Sequence, residues 1–234
     1  MIRRPPRSTQ GVSSAASDVY KRQQFNTSTE GGSIRFSDLN GSIDAQTSGG
    51  SIELDYITGD EISCRTSGGN IQAEVISAKV TLKTSGGGIT LNNIEGNIDL
   101  STSGGNIDAG LCKGSLKCNT SAGNISLEEV IGSVDAFTSA GNISLDLTYD
   151  SSIKDYSFNM ETDAGDLVVH IPKGLPVSIE STIYGTGSTK ELNSEIPLKI
   201  TSKGSTVKGT GTVKGGTIPL LLKAHYGSIT IKQN

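Results

Sequence analysis

The sequence predicts an all-β chain: a parallel β-solenoid of the two-faced β-helix or β-roll type, about 18 residues per coil, ending in irregular coils and a cap. The first observation behind this is a returning phrase. It reads T-S-G-G from Thr47, Thr66, Thr84 and Thr102, then T-S-A-G from Thr120 and Thr138, at steps of 19, 18, 18, 18 and 18 residues. The second is a finer period of nine, anchored at Ile34, Ile43, Ile52, Ile62, Ile71, Val80, Ile89, Ile98, Ile107, Leu116, Ile125, Val134 and Ile143. The interval from Ile52 to Ile62 alone is ten. The third is composition: 30 glycines, no tryptophan and 4% aromatics fit a thin interior of small aliphatic side chains. Fixed-period self-similarity of this kind is the mark of stacked repeats, each burying its apolar face on the next.

Each anchor opens a short alternating strand. Ile43-Asp44-Ala45, Ile52-Glu53-Leu54, Ile89-Thr90-Leu91 and Ile98-Asp99-Leu100 read apolar, polar, apolar, the period of a half-buried strand. One half-repeat runs on to the threonine, which alternation points inward, and the serine and glycine pair then turn the chain. The other half contributes a late apolar residue (Ile57, Ile76, Ile94 or Leu111) and is expected to turn at Gly59, Gly96, Gly114 or Gly132. Two strands and two corners make a coil, with like residues stacked on like. The Asn70, Asn106, Asn124 and Asn142 amides are expected to hydrogen-bond along the axis. Inward positions recur every nine residues and not every six, which favours two faces over the three-sided hexapeptide helix.

The chain divides at two places. Residues 1–23 lack the period and resemble the conceptual translation of a sequencing-library adapter, a non-native and disordered segment. On that reading the native start lies upstream, and any signal peptide or anchor with it. Residues 24–149 hold the regular repeats, and 150–234 supply irregular coils and a cap of the same domain. There, Thr162-Asp163-Ala164-Gly165 echoes the corner. Strands are expected over 166–171, 176–183, 196–201, 217–224 and 228–231. An end coil exposes unpaired strand edges and needs such a cap.

Charge narrows the partners. Five basic residues and one acid fall in 1–23, so the remainder carries fifteen basic and twenty-three acidic residues, a net −8. That disfavours nucleic acid and anionic lipid, which select basic patches. From residue 24 onward no stretch reaches the ~18 apolar residues of a membrane helix, so membrane association is expected only through the missing N-terminal segment. Cys64 and Cys118 occupy equivalent positions three coils apart, about 14 Å at strand spacing and beyond disulfide reach. Cys112 and Cys118 are close enough for pairing to stay open.

No chemical motif rises above the repeat. His170 and His225 lie on expected strands without acidic or cysteine partners nearby in sequence. Outward carboxylates recur at Asp44, Glu53, Asp99, Asp108 and Asp135, and one column runs Thr81, Asp99, Lys117, Asp135. This reads as a surface charge ladder, with a glycosidase-like carboxylate pair as the alternative. Gly104-Gly105-Asn106-Ile107-Asp108 lacks the third glycine and the ligand aspartate of the calcium β-roll. The expectation is no catalytic, cofactor-binding or metal residue, and no cofactor.

The T-S-G-G-N-I corners, the HIPKGLPVSIE passage at 170–180 and the closing GGTIPLLLKAHYGSITIK resemble the bacterial adhesin-type family of β-strand repeats, of Bacteroidetes type. The family is a domain of unknown function, and the resemblance covers residues 30–234. It implies an extracytoplasmic β-solenoid of the cell envelope without known catalytic residues. The expected function is a non-enzymatic structural, adhesion or interaction module, with glycans or envelope proteins as partners. The alternatives are a β-helical carbohydrate-active enzyme and an envelope-stress signalling partner.

Overall fold

A computed structural model describes residues 23–153, 156–185 and 187–234. The adapter reading of 1–23 therefore falls, except for Gln23, outside the described residues. The chain is a parallel β-solenoid in which the strands of successive coils join into one continuous sheet. It opens with β1 (Gln23–Thr29), which pairs with the second half of β2 (Ile34–Thr47). Next come β3 (Ile52–Thr66), β4 (Ile71–Lys83), β5 (Ile89–Thr102), β6 (Ile107–Thr120) and β7 (Ile125–Ala140). Each of β2 to β7 is nearly a whole coil and pairs in parallel with the next, like residue on like: Ile52 on Ile71, Ile71 on Ile89, Ile89 on Ile107. The ten-residue interval is absorbed by a bulge. Between Thr58 and Glu61, β3 carries one residue more than either neighbour, and register is restored by Ile62.

Each coil bends between two legs, and the alternation breaks three residues before the expected glycines. Alternation breaks at Asp38, Tyr56, Val75, Asn93, Leu111 and Glu129, all of which have left-handed φ between 48° and 57°. The apolar residue that follows each turns inward: Ile57, Ile76 and Ile94 are 1–2% exposed. Leu111 is itself the turning residue, 42% exposed, and Cys112 takes the interior place opposite Ile94. The glycines three residues later also carry positive φ, 142°, 129° and 141° at Gly96, Gly114 and Gly132, and they answer a second need. A Cβ on Gly114 or Gly132 would lie 2.1 or 1.8 Å from the carbonyl oxygen of the glycine one coil earlier.

The corner threonines do point inward, at 0–6% exposure from Thr47 to Thr138. Each hydroxyl belongs to two coils. Thr102 Oγ1 donates to the Gly87 carbonyl of the preceding coil at 2.8 Å and accepts from the Gly105 N–H at 3.2 Å. The pattern recurs at Thr47, Thr66 and Thr84. Buried backbone groups at the turn are thereby satisfied without water. The asparagine column is a ladder of a kind the sequence did not specify. Asn106 Oδ1 accepts the backbone N–H of Asn124, and Asn124 Oδ1 that of Asn142, at 2.9 and 2.8 Å, so side chain bonds to backbone and not amide to amide.

After β8 (Ile143–Leu147) an excursion interrupts the coil. Tyr149, Tyr156 and Phe158 stack in succession there, with Tyr156 Oη donating to the Asp150 carbonyl at 3.0 Å. Then follow β9 (Phe158–Ala164), β10 (Leu167–Ile171), β11 (Val177–Tyr184), a 3-10 turn at Thr189–Glu191, β12 (Leu192–Ser194), β13 (Lys199–Lys203), β14 (Thr206–Thr212), β15 (Ile218–His225) and β16 (Ile229–Gln233). The coils here are not stacked in chain order. β15 lies between β9 and β11, and β16 lies between β10 and β12. The end of the chain is thus an inner coil, inserted beneath a cap that precedes it in sequence. β14 closes the stack by pairing antiparallel with β11, and β13 pairs antiparallel with β14. β13 and β14 replace the single strand expected over 196–201. The edge strand β13 is short, fully exposed and bounded by Lys199 and Lys203, features that discourage further strand addition.

Candidate functional site

The outward residues of the first leg form two polar columns. Arg35, Glu53, Gln72, Thr90, Asp108 and Ser126 stack in one register. Ser37, Asp55, Glu74, Asn92, Gly110 and Glu128 stack in the other. Together they line an open cleft of 330 Å³ from Arg35 to Asn92, and a second of 150 Å³ continues it through Thr90 to Glu128. Arg35 sits at one end, 3.3 Å from Glu53 and 3.4 Å from Asp55. Glu74, Asp108 and Glu128 extend the acidic row beyond it. Partial burial, with Glu128 close by, pushes the Asp108 carboxyl up from its ordinary value. The strip offers carboxylate, amide and hydroxyl groups at strand spacing, about 4.8 Å from coil to coil.

The second leg carries the other predicted carboxylates, and it keeps them apart. Asp99, Lys117 and Asp135 fall in register as expected, with Lys117 Nζ 3.5 Å from Asp135. Asp135 also accepts from Asn159 at 3.0 Å. Asp99 and Asp135 stand two coils apart, with Lys117 on the strand between them. Asp44 lies three coils before Asp99 in the same column, while Glu53 and Asp108 belong to the cleft.

The histidines are less isolated than their sequence neighbours suggest. His225 ends β15, and the parallel pairing of β15 with β9 sets Lys223 beside Glu161 and Ala224 beside Thr162. His225 Nδ1 consequently lies 3.8 Å from Asp163, a residue 62 positions away in the chain. Glu161 is also close, and Lys223 Nζ reaches its carboxylate at 3.5 Å. On the other side Tyr184 stands edge-on to the imidazole, with ring centroids 4.7 Å apart. At this corner the repeat departs from its own chemistry. The serine after the threonine gives way first to Asp163 and then to His225, and the next residue is Tyr226, with φ 57° and 78% exposed. His170 lies on β10, in register between Asp146 and Lys232, and its Nε2 is buried with no hydrogen-bond partner. Long-range parallel pairing hid both neighbourhoods from any local reading.

The three cysteines are free, buried thiols. Burial pushes Cys64 up to about 12 and Cys112 to about 11, and raises Cys118 well above its ordinary value. They act as small interior hydrophobes and hold no thiolate at neutral pH. No helix among the described residues is long and apolar enough to cross a membrane.

Comparison with known proteins agrees with this architecture. No curated protein and no solved structure matches the chain. The family model described as Toastrack DUF4097, a domain of unknown function with a β-repeat character, matches residues 16–196. That span takes in the whole regular stack and the first irregular coils, and the chain belongs to the Toastrack DUF4097 family.

Proposed function

We propose that this domain is a non-enzymatic, extracytoplasmic interaction module of the bacterial cell envelope, and that its partner lies along the first-leg cleft. One observation carries the reading: polar side chains line a continuous strip across successive coils, acidic along most of its length, with Arg35 at one end. Such a strip repels anionic polymers and suits an extended partner bearing ammonium and hydroxyl groups. Gln72, Thr90, Asn92 and Ser126 alternate with the carboxylates, which favours an amine-bearing glycan over a purely cationic peptide. Binding energy is spread over many coils, so individual contacts are weak and affinity grows with ligand length.

The test is binding of the purified protein to chitosan oligomers of increasing length, with dextran as the neutral control and hyaluronan as the anionic one. Chitosan should bind in a length-dependent and salt-sensitive manner, and the Glu74→Gln/Glu128→Gln double variant should bind at least tenfold more weakly. Equal binding by that variant would move the site elsewhere. Release of shortened glycan would replace a binding module with an enzyme.

A further inference from the structure

We infer that Glu161, Asp163 and His225 form a binding site for a first-row divalent transition-metal ion at the corner where β9 and β15 meet. Independent of the first-leg cleft, it lies on the other leg of the coils. Glu161 and Asp163 are two apart on one strand, so alternation puts both on the same face. Register then sets His225 beside Asp163. One ligand atom from each residue lies within 4.8 Å of the other two, and all three residues are half-buried. Metal–ligand bonds of about 2.0–2.2 Å place tetrahedral ligands roughly 3.3 Å apart, so side-chain rotations of the order of 1 Å close the site.

The donor set points to the class of ion. One imidazole and two carboxylates suit zinc, copper or nickel, whereas magnesium and calcium prefer oxygen alone. The site is built by departure from the repeat. At the same corner position the six coils from Thr47 to Thr138 carry Ser48, Ser67, Ser85, Ser103, Ser121 and Ser139, the first corner carries Glu30, and here it carries Asp163 and then His225. Tyr184 packs edge-on against the imidazole and limits its rotation. Lys223 is the competitor. Its ammonium sits 3.5 Å from Glu161, already occupying a cation's place, but the lysine is 44% exposed and can swing into solvent. Three protein ligands leave at least one further coordination position for solvent.

The test is calorimetric titration of the full, metal-free, untagged chain with zinc, copper(II), nickel, magnesium and calcium salts. One equivalent of zinc, copper or nickel should bind, and magnesium and calcium should not. Copper(II) should show coupling to a single imidazole nitrogen by electron paramagnetic resonance. His225→Gln and Asp163→Asn should each weaken binding at least tenfold, while Asp135→Asn, on the same leg outside the cluster, should leave it unchanged. Lys223→Met should strengthen it, a gain that damage to the fold could not produce. Absence of binding by the unaltered chain would overturn the assignment, as would unchanged binding by His225→Gln.

Discussion

Gly105 and Gly87 meet more closely than any side chain would permit: a Cβ built on Gly105 falls 2.0 Å from the Gly87 carbonyl oxygen. Its neighbour Gly104 is in a different situation, with the nearest atom to its Cβ position, Ser85 O, at 3.6 Å. The contrast explains why the corner reads S-G-G in four repeats and S-A-G in two, with alanine at 122 and 140 and never at the second position. The first glycine is a choice, and the second is dictated by coils stacked backbone on backbone.

Gly105→Ala should therefore unfold or severely destabilise the chain, by several kcal/mol, because the coil above cannot retreat without breaking its ladder. Gly104→Ala should be neutral or stabilise by about 0.4–1 kcal/mol through the unfolded state. Urea unfolding of the two variants measures both, and equal effects would contradict the stacking geometry.

Thr102 tests the hydroxyl relay. Thr102→Val keeps the shape and removes both hydrogen bonds, leaving the Gly105 N–H and the Gly87 carbonyl without their side-chain partner in a buried corner. The expected loss is about 1–3 kcal/mol. Thr102→Ser keeps the hydroxyl and should recover much of it. Thermal melts of the pair separate hydrogen bonding from packing.

Much of this fold is legible because a solenoid repeats its instructions. The inward threonines, the parallel like-on-like register and the single ten-residue interval all follow from counting. What escapes is whatever depends on partners far along the chain. Nothing near His225 announces Asp163, since their contact is made by pairing β15 with β9 across 62 residues. The insertion of β15 and β16 beneath β11 and β12 is hidden for the same reason. Leu111 failed differently. Hydrophobicity alone marked it as interior, but the bend falls on it and gives the interior place to Cys112, the small buried hydrophobe next in sequence.

The bend offers a gain of stability. Val75 holds a left-handed φ of 54°, a conformation that β-branched residues adopt only under strain, whereas the equivalent Asn93 tolerates it. Val75→Asn should stabilise the protein by roughly 1 kcal/mol, the conformational strain outweighing the modest packing lost by a half-buried side chain. A rise in the unfolding midpoint with an unchanged urea slope is the expected signature.

The buried thiols set the alkaline limit. Folding raises Cys64 to about 12 and Cys112 to about 11, above an ordinary value near 9. Between those limits the unfolded chain gives up protons that the folded chain retains, so the folded state binds more protons and loses stability as pH rises. Their contribution is complete below pH ~9 and falls by up to about 1.4 kcal/mol per pH unit for each thiol until the folded value is reached. Cys64→Ala should flatten this alkaline decline while costing about 1–2 kcal/mol at pH 7 through lost packing. Urea unfolding from pH 7 to 11 checks the sign, and a slope unchanged by the substitution would remove Cys64 from the account.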